Sequence, residues 1–453
     1  IWGRQTYRLS DLDFEANSKD GYGVDWPIRY KDISPWYDYV EDYIGVSGEK
    51  LGIPHFPDGK FLKPLELNCA EKFFQEKISN EYDDRILTAA RVAHITEGTK
   101  PGLGRVTCQN RNLCRRGCPY GAYFSSNSST IPAAEATGNM TLRPHSIAHE
   151  IMYDENTKKA TGVKIIDSET NLTYEYSAKV IFVCASTAGS TSILMQSKSN
   201  RFPNGMGNDS GELGHNLMDH HFLVGAGGYL DEFSDKISYG RRPGGIYVPR
   251  FRNVDNKSKM KKFLRGYGYQ GGGGRGSKSL ESVKEMESFG AKFKEMIVEP
   301  DKWNIGLSAF GEILPRHSNR MYLNYSKKDK WGLPTITFDA KLSENEFEMR
   351  KDMKTQAQEM LERSGVKGVY GYDNIQDYNF GHGIHEMGTA RMGRDPKTSV
   401  LNSNNQIHDV KNVYVTDGSC MTSGGNQNPS ITYMALTARA VSHAVEELKK
   451  MNL

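Results

Sequence analysis

A long apolar run is the first thing this 453-residue chain lacks. Its longest, Val180-Ile-Phe-Val-Cys-Ala185, is far too short to span a bilayer, so no membrane-spanning helix is expected. Charge of one sign is missing too. The 58 Lys and Arg nearly balance 55 Asp and Glu, leaving a net +3 at pH 7. The basic residues are scattered rather than striped, which leaves nucleic-acid binding without electrostatic support. The cysteines number only six, without the spacing of a disulfide framework. No strand–Gly-x-Gly-x-x-Gly–helix unit opens the chain, and no internal repeat is visible. One such glycine pattern does occur, at Gly271, Gly273 and Gly276. The preceding Arg265-Gly-Tyr-Gly-Tyr-Gln270 does not read as a buried parallel strand, so the run is expected to be a mobile loop near a substrate rather than a phosphate cradle. The chain opens on Ile1 with no initiator Met, signal peptide or twin-Arg pattern, and its targeting is unreadable from sequence.

What is present reads as globular. A hydrophobic fraction of 37% with 10% aromatics suffices for a sizeable core, and the length allows about three domains of ~150 residues. Near the front, Asp32–Tyr43 predicts a helix started by Ser34 and Pro35. Further on, Ala133–Gly138 reads as a helix end and Met140–His145 as a strand. Glu150–Tyr153, Ala160–Asp167 and Thr173–Tyr176 predict a meander, with Ser168–Asn171 as a turn. Val180–Val183 is a continuous apolar strand followed by Ala185-Ser-Thr-Ala-Gly-Ser190, where small residues open a helix and allow close approach of a ligand. Residues 220–375 change character. Alternating stretches such as Gly245–Pro249 and Ile336–Phe338 predict a large, partly antiparallel sheet walling a substrate site, beside a charged helix at Glu281–Lys294.

The densest information lies at the C-terminus. His385-Glu-Met-Gly-Thr-Ala-Arg-Met-Gly393 precedes Val413-Tyr-Val-Thr-Asp-Gly-Ser419, a short apolar strand whose end presents a carboxylate. Open α/β sheets bind ligands at such strand ends. Gly424-Gly-Asn-Gln-Asn428-Pro429 then leads into a helix with apolar Ile431, Met434, Ala435, Ala438, Val441, Val445 and Leu448 at helical spacing. Asn428 is expected at its N-cap, Pro429 at the first helical position and Ser430 just inside, an N-terminus suited to an anionic ligand.

These segments resemble the C-terminal signature of the glucose–methanol–choline (GMC) oxidoreductases, FAD enzymes that oxidise alcohols. The pattern His-x-x-Gly-Thr-x-x-Met-Gly, then Asp-Gly-Ser, then Asn-Pro-Ser/Thr is matched at each point. Arg111–Ala122 with its Cys-Pro-x-Gly-Ala, Phe202-Pro-Asn-Gly205 and Gly214-His-Asn-Leu-Met-Asp-His220 resemble the family's sugar-dehydrogenase branch. The resemblance implies an α/β fold: an incomplete Rossmann-like FAD domain and a substrate domain on a largely antiparallel sheet. The expected divisions are 1–219, 220–375 and 376–453. Ile1-Trp-Gly-Arg4 resembles residues that follow the family's glycine unit, so the chain is expected to begin partway through the FAD domain.

The resemblance also implies roles. His385 is expected to be the general base, its usual pKa being right for that work, with Asn428 sharing the substrate hydroxyl. Glu312, in Phe310-Gly-Glu-Ile-Leu-Pro315, is either an active-site residue or an ordinary exposed Glu. Asp417 and Gly418 are expected near the ribityl or pyrophosphate part of FAD, Ala185 and Ser186 against it, and Ile147 offering backbone to the adenine. The Pro429 helix start would face the reduced flavin. His215, His220 and His221 lack carboxylate or Cys partners at metal spacing and read as structural or supporting residues, so no metal is expected. Cys108, Cys114 and Cys118 fall where the branch can hold an iron–sulfur cluster. The cluster-binding version has two adjacent cysteines, whereas Cys108 precedes Gln109, so free thiols are expected.

The implied function is FAD-dependent dehydrogenation of a sugar, polyol or glycoside, with C3 of a glycoside the specific expectation. A small or haem-containing electron-transfer subunit would be a partner, with a lean to the periplasm. A flavin lyase of the hydroxynitrile type and a chain that holds no FAD and serves only as a partner subunit remain the alternatives.

Overall fold

Two apolar segments far apart in sequence, Ile181–Val183 and Val410–Val415, meet as a parallel pair with Val413 opposite Ile181 and Val415 opposite Val183. In the computed structural model, which describes residues 3–111, 113–237, 244–276 and 283–453, this pair sits inside the larger of two hydrophobic cores. Continuous Val and Ile runs suit strands covered on both faces. The helix Ser186–Gln196 follows the first strand, and a three-stranded antiparallel meander, Ser146–Asp154, Lys159–Asp167 and Thr173–Ser177, packs alongside. The helices Tyr30–Ile44 and Ser430–Lys449 lie against each other.

Three local expectations shift. Met140–His145 is not a strand, and the meander's first strand begins at Ser146, four residues before Glu150. Pro144 has no N–H to give a ladder and His145 takes the left-handed conformation (φ 56°), so extended pairing starts only after them. The early helix starts at Tyr30, a turn before Pro35, because Asp32 accepts from the Arg29 N–H at 2.8 Å. In the last helix Val441, Val445 and Leu448 are exposed. The buried face passes instead through Ala440 and Ala444, whose small side chains let the helix lie close on Tyr414.

The second core lies under an antiparallel sheet. Among the described residues its strands run in the order Thr88–Ala89, Ile246–Val248, Tyr267–Arg275, Trp303–Glu312, Val224–Leu230 and Lys367–Asp373, with His220–His221 pairing the end of Trp303–Glu312. Leu230, Ile305 and Leu307 point one way, onto Met349, Met353, Met360 and Leu361 of the helix Glu344–Arg363. The fold is therefore mixed α/β with an antiparallel second sheet.

The glycine run is not a loop. Gly271–Gly274 lie in the middle of the strand Tyr267–Arg275 and pair with Trp303–Glu312. Their lack of side chains is what the pairing uses: a Cβ on Gly271 would stand 2.2 Å from the Gly306 carbonyl oxygen. The buried rings of Tyr267 and Tyr269 fix the strand from its other end. The charged helix is shorter than expected, Gly290–Val298; residues 281–282 of that expectation lie outside the described residues.

A Cβ on Gly274 would meet nothing within 4 Å. Gly271→Ala is thus expected to cost about 1–3 kcal/mol through forced separation of two strands, while Gly274→Ala stays within about 0.5 kcal/mol of the parent. Parallel denaturant titrations check this, and equal costs would show that the Gly271 contact does not constrain the sheet.

Candidate active site

The parallel pair sets one end of the site. Past Val183 and Val415 the chains diverge into Cys184-Ala185 and Thr416-Asp417. Ala185 is the N-cap of Ser186–Gln196 but gives no side-chain cap, and Ser186 takes the left-handed conformation (φ 67°). The N-cap residue thus satisfies none of the first N–H groups of that helix, which present partial positive charge, and the Asp417 carboxylate takes the one of Ser186. Asp417 clamps the two strand ends. One carboxylate oxygen accepts from Ser419 N–H (3.0 Å) and Ser419 Oγ (2.6 Å), and the other from the Ser190 hydroxyl. Burial pushes its pKa up while Ser190 and Ser419 pull it down.

A cleft of about 890 Å³ opens over these strand ends. Cys184, Ser186, Thr187, Thr416, Asp417 and Gly418 line its polar end, Tyr39, Val40, Tyr43 and Ile44 one wall, and Tyr433, Met434, Thr437 and Ala438 another. His385 stands at its margin with Ile384 and Glu386. An uncapped helix start beside apolar walls fits a group that is anionic at one part and flat and apolar at another, as FAD is. Ser186, Thr187 and the Asp417-Gly418 turn would face its polar portion, and Tyr433 and Met434 the ring.

Backbone register delivers His385. Met387 and Met218 exchange N–H···O bonds of 2.9 Å each way, Thr389 N–H bonds the His215 carbonyl, and Ala390 and Met392 bond the carbonyls of Ser419 and Cys420. The extended motif segment is thus held between two others, the one around Met218 and the 3-10 turn Gly418–Cys420. Gly388 is needed there, because a Cβ would stand 2.1 Å from the Asn216 carbonyl oxygen. Continuing the antiparallel register two residues sets His220 opposite His385, and their Nδ1 atoms lie 2.9 Å apart. Nε2 of His220 is 2.8 Å from the Gly425 carbonyl oxygen. Nε2 of His385 is 3.1 Å from Nδ2 of Asn428, whose Oδ1 accepts from Gln270 Nε2 at 2.8 Å. Burial holds both imidazoles below the usual pKa, His220 at about 4, and His220 lowers His385 further.

The loop before His385 hangs on one buried carboxylate. Asp219 accepts from the N–H groups of His220 (2.7 Å), Gly381 (2.9 Å), Gly383 (3.0 Å) and His385 (3.2 Å). Burial pushes its pKa up to about 6 against those donors.

The other expected residues divide. Asn428 reaches His385 as expected but does not cap: the helix runs Ser430–Lys449 with Pro429 as N-cap, and the Asn428 amide is taken by His385 and Gln270. Pro429 and Ser430 begin the helix that supplies Tyr433 and Met434 to the cleft. Ala185 adjoins it. Ile147, within Ser146–Asp154, is not among the residues lining it. Glu312 is neither exposed nor in reach of the cleft. It is buried, ion-paired to Arg265 at 2.7 Å, paired with His220 through backbone, and bonded by its carboxylate to the Gly425 N–H; burial raises its pKa while Arg265 lowers it. Cys108, Cys114 and Cys118 are in no disulfide, and the Cys108 pKa is raised by burial and by its two neighbours. Gln270, Asp219 and the direct His220 contact went unforeseen. The run Asp219-His220-His221 was visible, but nothing local told which imidazole would meet His385.

Domain models of the GMC oxidoreductase family match residues 20–222 (N-terminal) and 315–437 (C-terminal). The 2-methyl-1,2-propanediol dehydrogenase of Mycolicibacterium austroafricanum is 28% identical over 447 residues, which is 96% of this chain and 77% of that protein. The fructose dehydrogenase large subunit of Gluconobacter japonicus is 25% identical over 456 residues, 99% of this chain and 80% of its own length. A formate oxidase of Aspergillus oryzae RIB40 shares the fold at a TM-score of 0.64 and 12% identity, over 99% of this chain and 83% of that one.

Asp219→Asn would set an NH2 against backbone N–H groups. It is expected to cost about 2 kcal/mol and to speed hydrogen exchange at Gly381, Gly383 and His385 ahead of the rest of the chain. Unchanged protection at these amides would mean that the loop is held by something else.

Proposed function

Because the chain belongs to the GMC oxidoreductase family, whose members are FAD flavoproteins, we propose that it oxidises a CH–OH group of a sugar, polyol or glycoside with His385 as general base. The observation that carries this is the pairing of His385 Nε2 with the Asn428 amide, 3.1 Å apart at the cleft margin. A substrate hydroxyl that replaced their mutual hydrogen bond would give its proton to Nε2 and accept a hydrogen bond from Asn428 Nδ2. Bound FAD supplies the acceptor for the C–H hydrogen and its electron pair, and the substrate carbon becomes a carbonyl. The cleft walls exclude water from that exchange.

The adjoining sheet face supports a polyhydroxylated substrate. Gln270 points from its strand to Asn428, and by two-residue alternation Gly272 shares that face. Ser308 and Gly306 lie directly across, and Ser308 Oγ meets the Tyr372 hydroxyl at 2.8 Å. A side-chain-free floor edged by hydroxyls and an amide suits the flat, hydroxyl-bearing surface of a sugar ring. The sugar-dehydrogenase motifs make C3 of a glycoside the position to test first. The name of one matched relative, a fructose dehydrogenase large subunit, supports a partner subunit, for which a small or haem-containing electron acceptor is our proposal. Such a partner would favour the periplasm.

Turnover of an artificial electron acceptor with a panel of sugars, polyols and glycosides tests the reading; no turnover with any of them sinks it. His385→Ala is expected to keep FAD content and lose at least ~100-fold in kcat, with a smaller loss in Asn428→Ala. Near-normal turnover in His385→Ala removes it as base. Elemental analysis of the purified protein is expected to find no iron, and stoichiometric iron would return Cys108, Cys114 and Cys118 to electron transfer.

A further inference from the structure

We infer that His220 is a positioning residue which, anchored by the Gly425 carbonyl, fixes His385 in the tautomer whose Nε2 carries the lone pair. The deduction starts at the group with no choice. A backbone carbonyl only accepts, so His220 Nε2, 2.8 Å from the Gly425 oxygen, must carry a proton. His220 is fully buried, which keeps its imidazole neutral, so its Nδ1 has a lone pair. The atom facing that lone pair at 2.9 Å is Nδ1 of His385, which must therefore donate. Neutral His385 is left with an unprotonated Nε2.

The opposite end of the network gives the same answer independently. Gln270 donates to Asn428 Oδ1 at 2.8 Å, which turns the Asn428 NH2 toward His385 Nε2 at 3.1 Å, and a donor there requires a lone pair on Nε2. Five polar groups on four separate segments thus agree on one proton arrangement.

Gly425 is suited to the anchoring role. It sits in the left-handed conformation (φ 59°), and a Cβ there would stand 2.4 Å from Gln427 Oε1 and 2.8 Å from Leu9 Cδ2. The side chains of Gln427 and Leu9 thus close around this position, and the buried Glu312 carboxylate takes the Gly425 N–H, which together hold the peptide that presents the carbonyl. The charged groups around the pair are Asp219, which bonds the backbone of both histidines, and Glu312, paired to Arg265 beside His220. Neither meets an imidazole nitrogen, so the tautomer is set by the ring–ring bond on one side of His385 and the Asn428 amide on the other.

The consequence for turnover rests on the reading of His385 as base: a His385 protonated at Nε2 has nothing with which to take a hydroxyl proton. The tautomer itself is measurable without turnover. In the FAD-loaded protein labelled with ¹⁵N-histidine, His385 should show a protonated Nδ1 and a pyridine-type Nε2, and His220 the reverse. His220→Leu removes the acceptor and should mix the His385 tautomers, lowering kcat by about 5-fold, the fraction of the competent form that is lost, with KM and FAD content little changed. His220→Asn, which offers a carbonyl oxygen near the Nδ1 position, should recover most of that loss. A proton on Nε2 of His385, or an unchanged His385 spectrum in His220→Leu, overturns the inference. If His220→Leu does not fold, the parent spectrum and His220→Asn decide it. The expected spectrum in a protein that oxidises no alcohol would keep the tautomer and discard the proposed reaction instead.

Discussion

The site depends on one stretch of backbone register. Met218 and Met387 pair antiparallel, and the same register carried two residues outward sets His220 against His385. The two segments are separated by the whole antiparallel sheet in sequence, so a slip of one residue would turn one imidazole to the opposite face. Several features guard against a slip. Gly388 admits the Asn216 carbonyl where any side chain would collide, and Thr389 Oγ1 meets Thr191 Oγ1 at 2.8 Å. Asp219 then gathers four N–H groups from both sides of the junction. Much of the His-x-x-Gly-Thr pattern is accordingly a device for holding a strand, with the histidine as its cargo.

That division explains what could be read from sequence. The parallel strand ending at Asp417, the small-residue helix start after Val183, and the meander up to Ser177 each follow from local pattern, since apolar continuity or alternation decides them. Residues whose role depends on a distant partner were less legible. Asn428 has the composition and position of an N-cap, but capping rules describe a helix by itself. Here Gln270, from the far sheet, and His385 compete for its amide and win. Glu312 lies in a segment matching the family's substrate domain, yet Arg265 from the neighbouring strand takes its carboxylate.

Glycine misled for a related reason. Four in a row suggest a chain free to move, because each raises the conformational entropy of the unfolded state. In the folded chain the same residues let neighbouring strands and overlying groups approach where a Cβ would not fit, as at Gly271, Gly225 and Gly245. Pairing along both edges then repays the ordering. The sheet gains a bare surface beside Gln270, which no sequence of bulkier strand formers would leave.

Burial and hydrogen bonding pull on His385 in different ways, and their combination suits a base. Desolvation makes an imidazolium costly, so the resting ring is neutral and ready to accept. That same cost would oppose proton uptake if nothing shared the charge. In the proposed reaction Nε2 would take a proton, and the Nδ1–H bond to His220 would strengthen, because the donor would become cationic while the acceptor lone pair is already aimed. The buried carboxyl of Asp219 lies one residue away on the His220 side and bonds the His385 backbone on the other. Each of these interactions grows with the positive charge on the ring. They therefore favour the transition state over the ground state, which is the condition for an interaction to accelerate a step rather than merely hold a substrate.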